Sequence, residues 1–299
     1  MFDDSAAAVV ILEQDKRAFF FHGDKVSSDS LFEIGSLTKP LFALLASRLV
    51  VDKVWSLEMP IADLLGQGFE HHSYTLLQLL THRSGLPRLP KNLMPSNIND
   101  PYVDFDSTDI KQALTLPIGK KGDFEYSNFG YGLLGWLMAK AWDKTQQEMV
   151  DNYLFNTLKM PHATLALSQL KKQQLSGRGY DGKPVANWYF DSLVGAGGAL
   201  ASPEDMANWI SAYWQVEPSD SELFPMLKNS LTHLNNTMVY GFNKGLNSSY
   251  FHGGKTAGFT SMVVFDPSKQ QGVIVMIAGP QDAGALAMRL FKQLQEKGQ

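Results

Sequence analysis

The sequence predicts a mixed α/β (α+β) fold, in which an antiparallel sheet is built from both ends of the chain and flanked by helices. Two strand-like segments, "AAAVVILEQ" and "RAFFFHG", lie near the start and are separated by a polar turn. Short apolar runs with turn residues between them appear after Asn236, and a helical pattern over 282–298 closes the chain. The middle of the chain shows helical periodicity and loops instead.

This distribution predicts two lobes. We expect an α/β lobe from residues 1–52 and 190–299, and a mostly helical lobe from 53–189, with the active site in the cleft between them. The helix after residue 201 has a strong start signal, with Ser202 as the N-cap and Pro203 at the first helical position.

Composition excludes several classes of function. The chain has 299 residues, no cysteine and a net charge of −4. We therefore expect no nucleic-acid partner, no thiol nucleophile and no thiolate metal site. The longest apolar stretch, near "GVIVMIAG", is too short to span a bilayer.

The N-terminal segment "MFDDSAAAVVILEQDK" is predicted to form a strand and does not have the pattern of a signal peptide. The expected location is therefore cytoplasmic for the chain as written, or periplasmic or secreted if an export signal was removed. The oligomeric state is left open.

The segment "FEIGSLTKPLFALL" contains the first candidate for chemistry. A lysine in the first turn of a helix is unfavourable, because the helix N-terminus is itself positive. Ser36 and Lys39 are one turn apart, however, and share a face of the helix. A lysine with a lowered pKa can act as the base that activates a serine, so this pair suits nucleophilic catalysis.

The Ser-x-x-Lys spacing alone is weak evidence. A second copy, Ser168 to Lys171, lies in the polar run "SQLKKQQ" and is interpreted as a solvated surface. The neighbouring His71 and His72 do not share a face and have no third ligand at a usable spacing, so no metal site is expected.

Two further motifs give Ser36 its context. Tyr126-Ser127-Asn128 stands just before a glycine-rich helix start, and "FHGGKT" supplies His252, Gly253, Gly254 and Lys255 on a predicted strand. Ser-x-x-Lys, Tyr-x-Asn and a Lys/His-x-Gly strand, in this order, resemble the serine β-lactamase and penicillin-binding protein family. The tyrosine form resembles the branch of class C β-lactamases, DD-peptidases and esterases, and "LLTHRSGLP" and "GAGGALASPEDMANW" agree with it.

The resemblance implies a β-lactamase/transpeptidase-like fold and a role for each motif residue. Ser36 would be the acylated nucleophile, and Lys39 and Tyr126 would share the acid–base work, with the identity of the base left open. Asn128 would hold the substrate's amide and the lysine head. The backbone N–H groups of Ser36 and Lys255 would form the oxyanion hole, next to the bare backbone of Gly253 and Gly254.

This resemblance predicts a serine acyl hydrolase acting on a small-molecule or peptide substrate (an amide, a β-lactam or an ester), with no cofactor. The alternative is a penicillin-binding or sensing module of the same fold that does not turn over. His252 stands where β-lactamases carry lysine, which favours a DD-peptidase or esterase and predicts carboxylate binding that fades as an imidazole with a pKa near 6.5 loses its proton.

The irregular stretch from 88 to 108 is expected to be a binding loop that sets specificity. Trp188 and Tyr189 either line the cleft or pack, and packing is the favoured interpretation.

Overall fold

The computed structural model describes residues 5–167 and 174–297. The strands in these residues are β1 Ala6–Glu13, β2 Lys16–His22, β3 Phe32–Glu33, β4 Thr164–Leu165, β5 Ala199–Ala201, β6 Asn243–Lys244, β7 Tyr250–Lys255, β8 Thr260–Asp266 and β9 Gln271–Ala278. The helices are α1 Thr38–Val51, α2 Ile61–Leu65, α3 Leu76–Leu80, α4 Ser107–Ala113, α5 Asn128–Ala141, α6 Gln146–Val150, α7 Pro203–Gln215, α8 Leu223–Ser230 and α9 Ala283–Lys297.

The main sheet is antiparallel and joins the two ends of the chain, as predicted. Its strand order is β2-β1-β9-β8-β7-β6. The central pairing of β1 with β9 places Val9 opposite Val275, and β9 in turn pairs with β8. A second sheet in the described residues has the order β3-β5-β4, and β3 leads directly into the turn that carries Ser36.

Alternation along the strands gives the main sheet two apolar faces. On β1, Ala8 and Val10 face the large core, whereas Ala7 belongs to a second cluster on the opposite face. That second cluster is closed by Ala287 and Phe291 of α9, so the C-terminal helix covers this side of the sheet.

The large core is continuous from the sheet into the helices between residues 52 and 190. One buried apolar cluster contains Val10 of β1, Leu44 of α1 and Leu134 of α5. Because no break in packing marks the expected boundaries at residues 52 and 190, the division into two lobes stays a prediction.

Two local predictions have different outcomes. Ser202 caps α7 as predicted, since its hydroxyl accepts a hydrogen bond from the Asp205 N–H and Pro203 opens the helix. The strand predicted over 236–244 is wrong for most of its length, because only Asn243–Lys244 pairs in the sheet. Gly241 adopts a positive φ of 74° there and passes so close to Pro40 that a Cβ would lie 2.5 Å from its Cα.

Across residues 5–167 and 174–297, no helix combines the length and apolarity needed to cross a lipid bilayer.

Candidate active site

Ser36 lies in a single 3₁₀ turn, Gly35–Leu37, between β3 and α1. Gly35 has a positive φ of 52°, which a residue without a Cβ adopts at little cost. The Thr38 hydroxyl donates to the Gly35 carbonyl at 2.7 Å and holds the turn on the helix. The turn presents Ser36 to a cavity of about 780 Å³.

Lys39, in the first turn of α1, is fully buried. Its Nζ lies 3.2 Å from Ser36 Oγ and 2.9 Å from Asn128 Oδ1, and it also contacts the Ala196 carbonyl. Burial, followed by the charge of Arg88, holds the pKa of Lys39 well below its usual value. An amine that loses its proton readily, at hydrogen-bond distance from a serine hydroxyl, is equipped to act as a base.

The start of α5 places Tyr126 and Asn128 beside this pair. Ser127 is the N-cap, and its hydroxyl accepts from the Gly130 N–H at 2.8 Å. The Ser127 N–H donates to His82 Nδ1 at 3.0 Å, which puts the proton of this imidazole on Nε2. The His82 ring also lies 4.4 Å from the Tyr126 ring, and burial lowers the pKa of His82 to about 3, so a neutral histidine supports the tyrosine.

Tyr126 is mostly enclosed and hydrogen-bonded to Ser36. Burial raises its pKa, although this hydrogen bond and the charge of Arg88 act in the opposite direction. The Lys39 Nζ lies 4.9 Å from the centroid of its ring. The opposite directions of the two shifts favour a neutral amine beside a neutral phenol over an ammonium beside a phenolate.

β7 forms another wall of the cavity and supplies His252, Gly253, Gly254 and Lys255 to its lining. The strand packs tightly against the Ser36 turn. A Cβ on Gly254 would overlap the carbonyl oxygen of Ile34, and a Cβ on Gly35 would lie 2.7 Å from the Lys255 backbone nitrogen. This approach brings the Lys255 N–H next to the turn that carries Ser36.

The protonation of His252 differs from the prediction made from the sequence. The histidine is buried, and burial together with the nearby charge of Lys39 lowers its pKa to about 3. Its Nδ1 lies 2.8 Å from the Gly253 carbonyl. The prediction that this imidazole titrates near neutral pH is therefore wrong, because an enclosed ring next to a second basic group resists protonation.

Sequence reasoning missed several residues of the site. Arg88, Tyr102 and Tyr180 line the cavity, and Glu33 lies buried two residues before Gly35. Arg88 was visible as a cation in the predicted binding loop. Glu33 had no such signal, since only the fold shows that it accepts from the Trp188 N–H at 2.9 Å.

Trp188 lines the cavity as well as packing edge-on against Tyr102 at 5.4 Å, so the interpretation that it only packs is wrong. The second Ser-x-x-Lys motif, from Ser168 to Lys171, lies outside the described residues. His71 and His72 both place Nε2 near the Leu114 carbonyl, and no group of three potential metal ligands occurs within 5–167 and 174–297.

The structure therefore brings the three motifs to one cavity. The Ser36 hydroxyl lies within hydrogen-bonding range of both the Lys39 amine and the Tyr126 phenol, the amine lies 4.9 Å from the centroid of the phenol ring, and β7 lines the same cavity. Such a group can transfer the serine proton to the amine as the oxygen attacks a carbonyl, and can return a proton to a leaving group.

A sequence profile of the Beta-lactamase family matches residues 3–295. Protein flp of Staphylococcus aureus (strain MW2) is 24% identical over 277 residues, which are 84% of this chain and 53% of that protein. The chain thus spans about half the length of the curated relatives it matches. A putative fimbrial assembly protein, FimD of Dichelobacter nodosus, is 30% identical over 140 residues, covering 44% of this chain and 35% of that one.

Solved structures share the fold at low sequence identity. The D-alanine carboxypeptidase AmpC from Burkholderia cenocepacia has a TM-score of 0.78 and 23% identity, covering 94% of this chain and 90% of its own. A beta-lactamase/D-alanine carboxypeptidase from Pseudomonas syringae has a TM-score of 0.82 at 18% identity, with coverage of 98% and 94%. The predicted β-lactamase/transpeptidase-like fold is confirmed.

Proposed function

Because the chain belongs to the beta-lactamase family, we propose that it is a serine acyl hydrolase that works through an acyl-enzyme on Ser36. One observation carries the proposal: the Lys39 amine is buried, has a lowered pKa and lies 3.2 Å from Ser36 Oγ. A lysine kept only as a surface charge would instead point to water.

In the proposed reaction, neutral Lys39 accepts the Ser36 proton while Oγ attacks the carbonyl carbon of the substrate. The oxyanion that forms is held by the backbone N–H groups of Ser36 and Lys255. Tyr126, protonated at neutral pH, donates its proton to the leaving group as the bond to it breaks, and regains a proton from Lys39. Water then attacks the acyl carbon, with the same groups accepting its proton and returning one to Ser36.

Asn128 holds Lys39 and the substrate in place through its side-chain amide. Its side-chain oxygen lies 2.9 Å from Lys39 Nζ and its side chain is also hydrogen-bonded to Tyr102, and because the amide nitrogen has two N–H donors, one of them can contact a substrate carbonyl. His252 is neutral, so it offers a hydrogen bond and no charge to the substrate. For this reason we propose small esters or short acyl amides as substrates, with penicillins, which carry a carboxylate on the leaving side, hydrolysed poorly.

The test is mass spectrometry of the intact protein after a pulse of an activated aryl ester or a β-lactam, followed by peptide mapping. We expect an adduct on Ser36 that is absent from Ser36→Ala together with the activity, whereas Ser168→Ala, the matched change in the second motif, keeps both. Sustained release of product supports an enzyme. Release that stops at one equivalent supports the alternative, a module that is acylated without turnover. An adduct on Ser168 contradicts both.

A further inference from the structure

Arg88 is a cation in the cavity to which the mechanism above gives no task. Its side chain is exposed, lines the cavity together with Ser36, and places Cζ 5.2 Å from the centroid of the Tyr126 ring. Its main chain is anchored at the start of α5, because the N–H groups of Asn128 and Phe129 donate to the Arg88 carbonyl at 2.9 and 3.2 Å.

The guanidinium has no counter-ion. Among residues 5–167 and 174–297, no carboxylate lies within ion-pair distance of it. The Glu125 carboxylate accepts from the backbone N–H of Arg88 at 3.1 Å and not from its side chain. The guanidinium carries five N–H donors in a fixed plane and lines a space that is large enough for a substrate.

The other charged groups of the described lining already have partners. The Lys255 Nζ donates to the Tyr180 hydroxyl at 2.8 Å, and Asp282 Oδ1 accepts from the Ala285 N–H at the start of α9. His252 is uncharged. Lys255 has two further N–H donors and is a second cation of this cavity, but it extends from β7, whereas Arg88 is anchored beside Asn128 at the start of α5 and contacts the Tyr126 ring.

We propose that Arg88 binds a carboxylate on the acyl part of the substrate, and that the protein prefers such anionic acyl donors to neutral ones. The inference rests on the proposed function, in which Asn128 contacts the acyl side. Arg88 lies on the same wall, since its carbonyl accepts from the Asn128 N–H. A planar guanidinium recognises a carboxylate through two parallel hydrogen bonds, which a lysine does not reproduce.

The competing role for Arg88 is purely electrostatic, since its charge lowers the pKa of Lys39 and opposes the rise at Tyr126. That role acts on the reacting groups and affects every substrate equally. Binding of a carboxylate affects only substrates that carry one in the correct place, so a set of matched esters separates the two.

The experiment compares three aryl esters: a neutral butyrate, a glutarate hemi-ester with its carboxylate on the acyl side, and a butyrate whose phenol leaving group carries the carboxylate. Arg88→Met keeps an unbranched side chain similar to the arginine stem and removes the guanidinium with its charge. Hydrogen bonds to charged groups are worth enough that kcat/KM for the hemi-ester should fall about tenfold to a hundredfold. On the pH plateau of kcat/KM, where Lys39 is already neutral, the other two esters should change by less than about threefold.

Arg83→Met is the matched control, since it removes the same charge nearby. Arg83 donates to the Gly122 carbonyl at 2.7 Å and does not line the cavity. We expect it to keep the preference for the hemi-ester, and Arg88→Lys to keep only part of it. Because Arg88 is exposed, salt should weaken the wild-type preference.

Equal losses on all three esters in Arg88→Met, or a loss confined to the leaving-group carboxylate, would overturn the inference. Calorimetry with glutaric acid monoanilide and the Ser36→Ala protein tests the same contact without turnover. If the Ser36→Ala protein binds the anilide and the double variant with Arg88→Met does not, the inference is supported, even if no ester is hydrolysed. Unchanged or absent binding overturns it, while the Ser36 adduct independently decides the proposed function.

Discussion

Gly254→Ala should push strand β7 away from the turn Gly35–Leu37 that carries Ser36. A Cβ at this position would lie 3.0 Å from the Ile34 carbonyl carbon and overlap its oxygen. The Ser261 hydroxyl of β8 donates to that same oxygen at 2.9 Å, so moving the oxygen away from a new Cβ would break this hydrogen bond. Restoring ordinary van der Waals separation requires β7 and the turn to part by about 1.5 Å.

A displacement of that size acts on activity more than on stability. Misplacement by about 1 Å costs on the order of a hundredfold in rate, and overpacking costs about 1–3 kcal/mol in the free energy of unfolding. We therefore expect the acylation rate of Gly254→Ala with an activated ester, measured by stopped flow, to fall about a hundredfold, with a Tm lower by a few degrees.

Gly253→Ala is the control, because the nearest atom to a Cβ there is the Met262 sulfur at 3.4 Å, an ordinary contact. It should keep the wild-type Tm. If Gly254→Ala acylates at the wild-type rate with an unchanged Tm, β7 does not pack on the serine turn as described, and the oxyanion site built on that contact is wrong.

Tyr126→Phe keeps the ring and removes the hydroxyl, so kcat should fall about 10²- to 10⁴-fold with little change in Tm; near-wild-type turnover would show that Lys39 suffices. Because Lys39 accepts a proton only when neutral, kcat/KM for a neutral ester should rise with pH and level off well below pH 10.5, the usual pKa of lysine; a profile still rising there would refute the lowered pKa. Burial raises the pKa of Glu33 from 4.5 to about 7. The folded state then binds this proton more tightly than the unfolded chain, so its contribution to the free energy of unfolding falls by about 3 kcal/mol as the pH rises through that interval. Glu33→Gln should remove this dependence in denaturant unfolding, and a wild-type minus variant difference equal at both ends of the interval would contradict it. Dialysis against a chelator should leave ester hydrolysis unchanged, whereas a loss restored by zinc would argue against a serine mechanism.

Local pattern was enough to predict the elements that carry the chemistry. These elements depend on residues that are neighbours in the chain, and the periodicity of the sequence shows them directly. They are the alternating strands β1, β2 and β7 to β9, the capped start of α7, and the one-turn spacing of Ser36 and Lys39. Strand-like segments at both ends of the chain predicted that these ends join in one sheet, and the order of the three motifs then indicated the fold family.

Only the tertiary structure decided the charge state of the site. Lys39, His252 and Glu33 titrate away from their usual pKa values because residues distant in sequence remove water from them. Desolvation of a side chain depends on all the residues packed around it, so it leaves no periodic pattern in the sequence from which a pKa shift could be predicted. Likewise, Arg88 enters the cavity only because its loop is pinned to the start of α5, and Gly254 meets Ile34 only because β7 closes on the serine turn. Such contacts link segments far apart in the chain, and it is the complete fold that brings them within reach of each other.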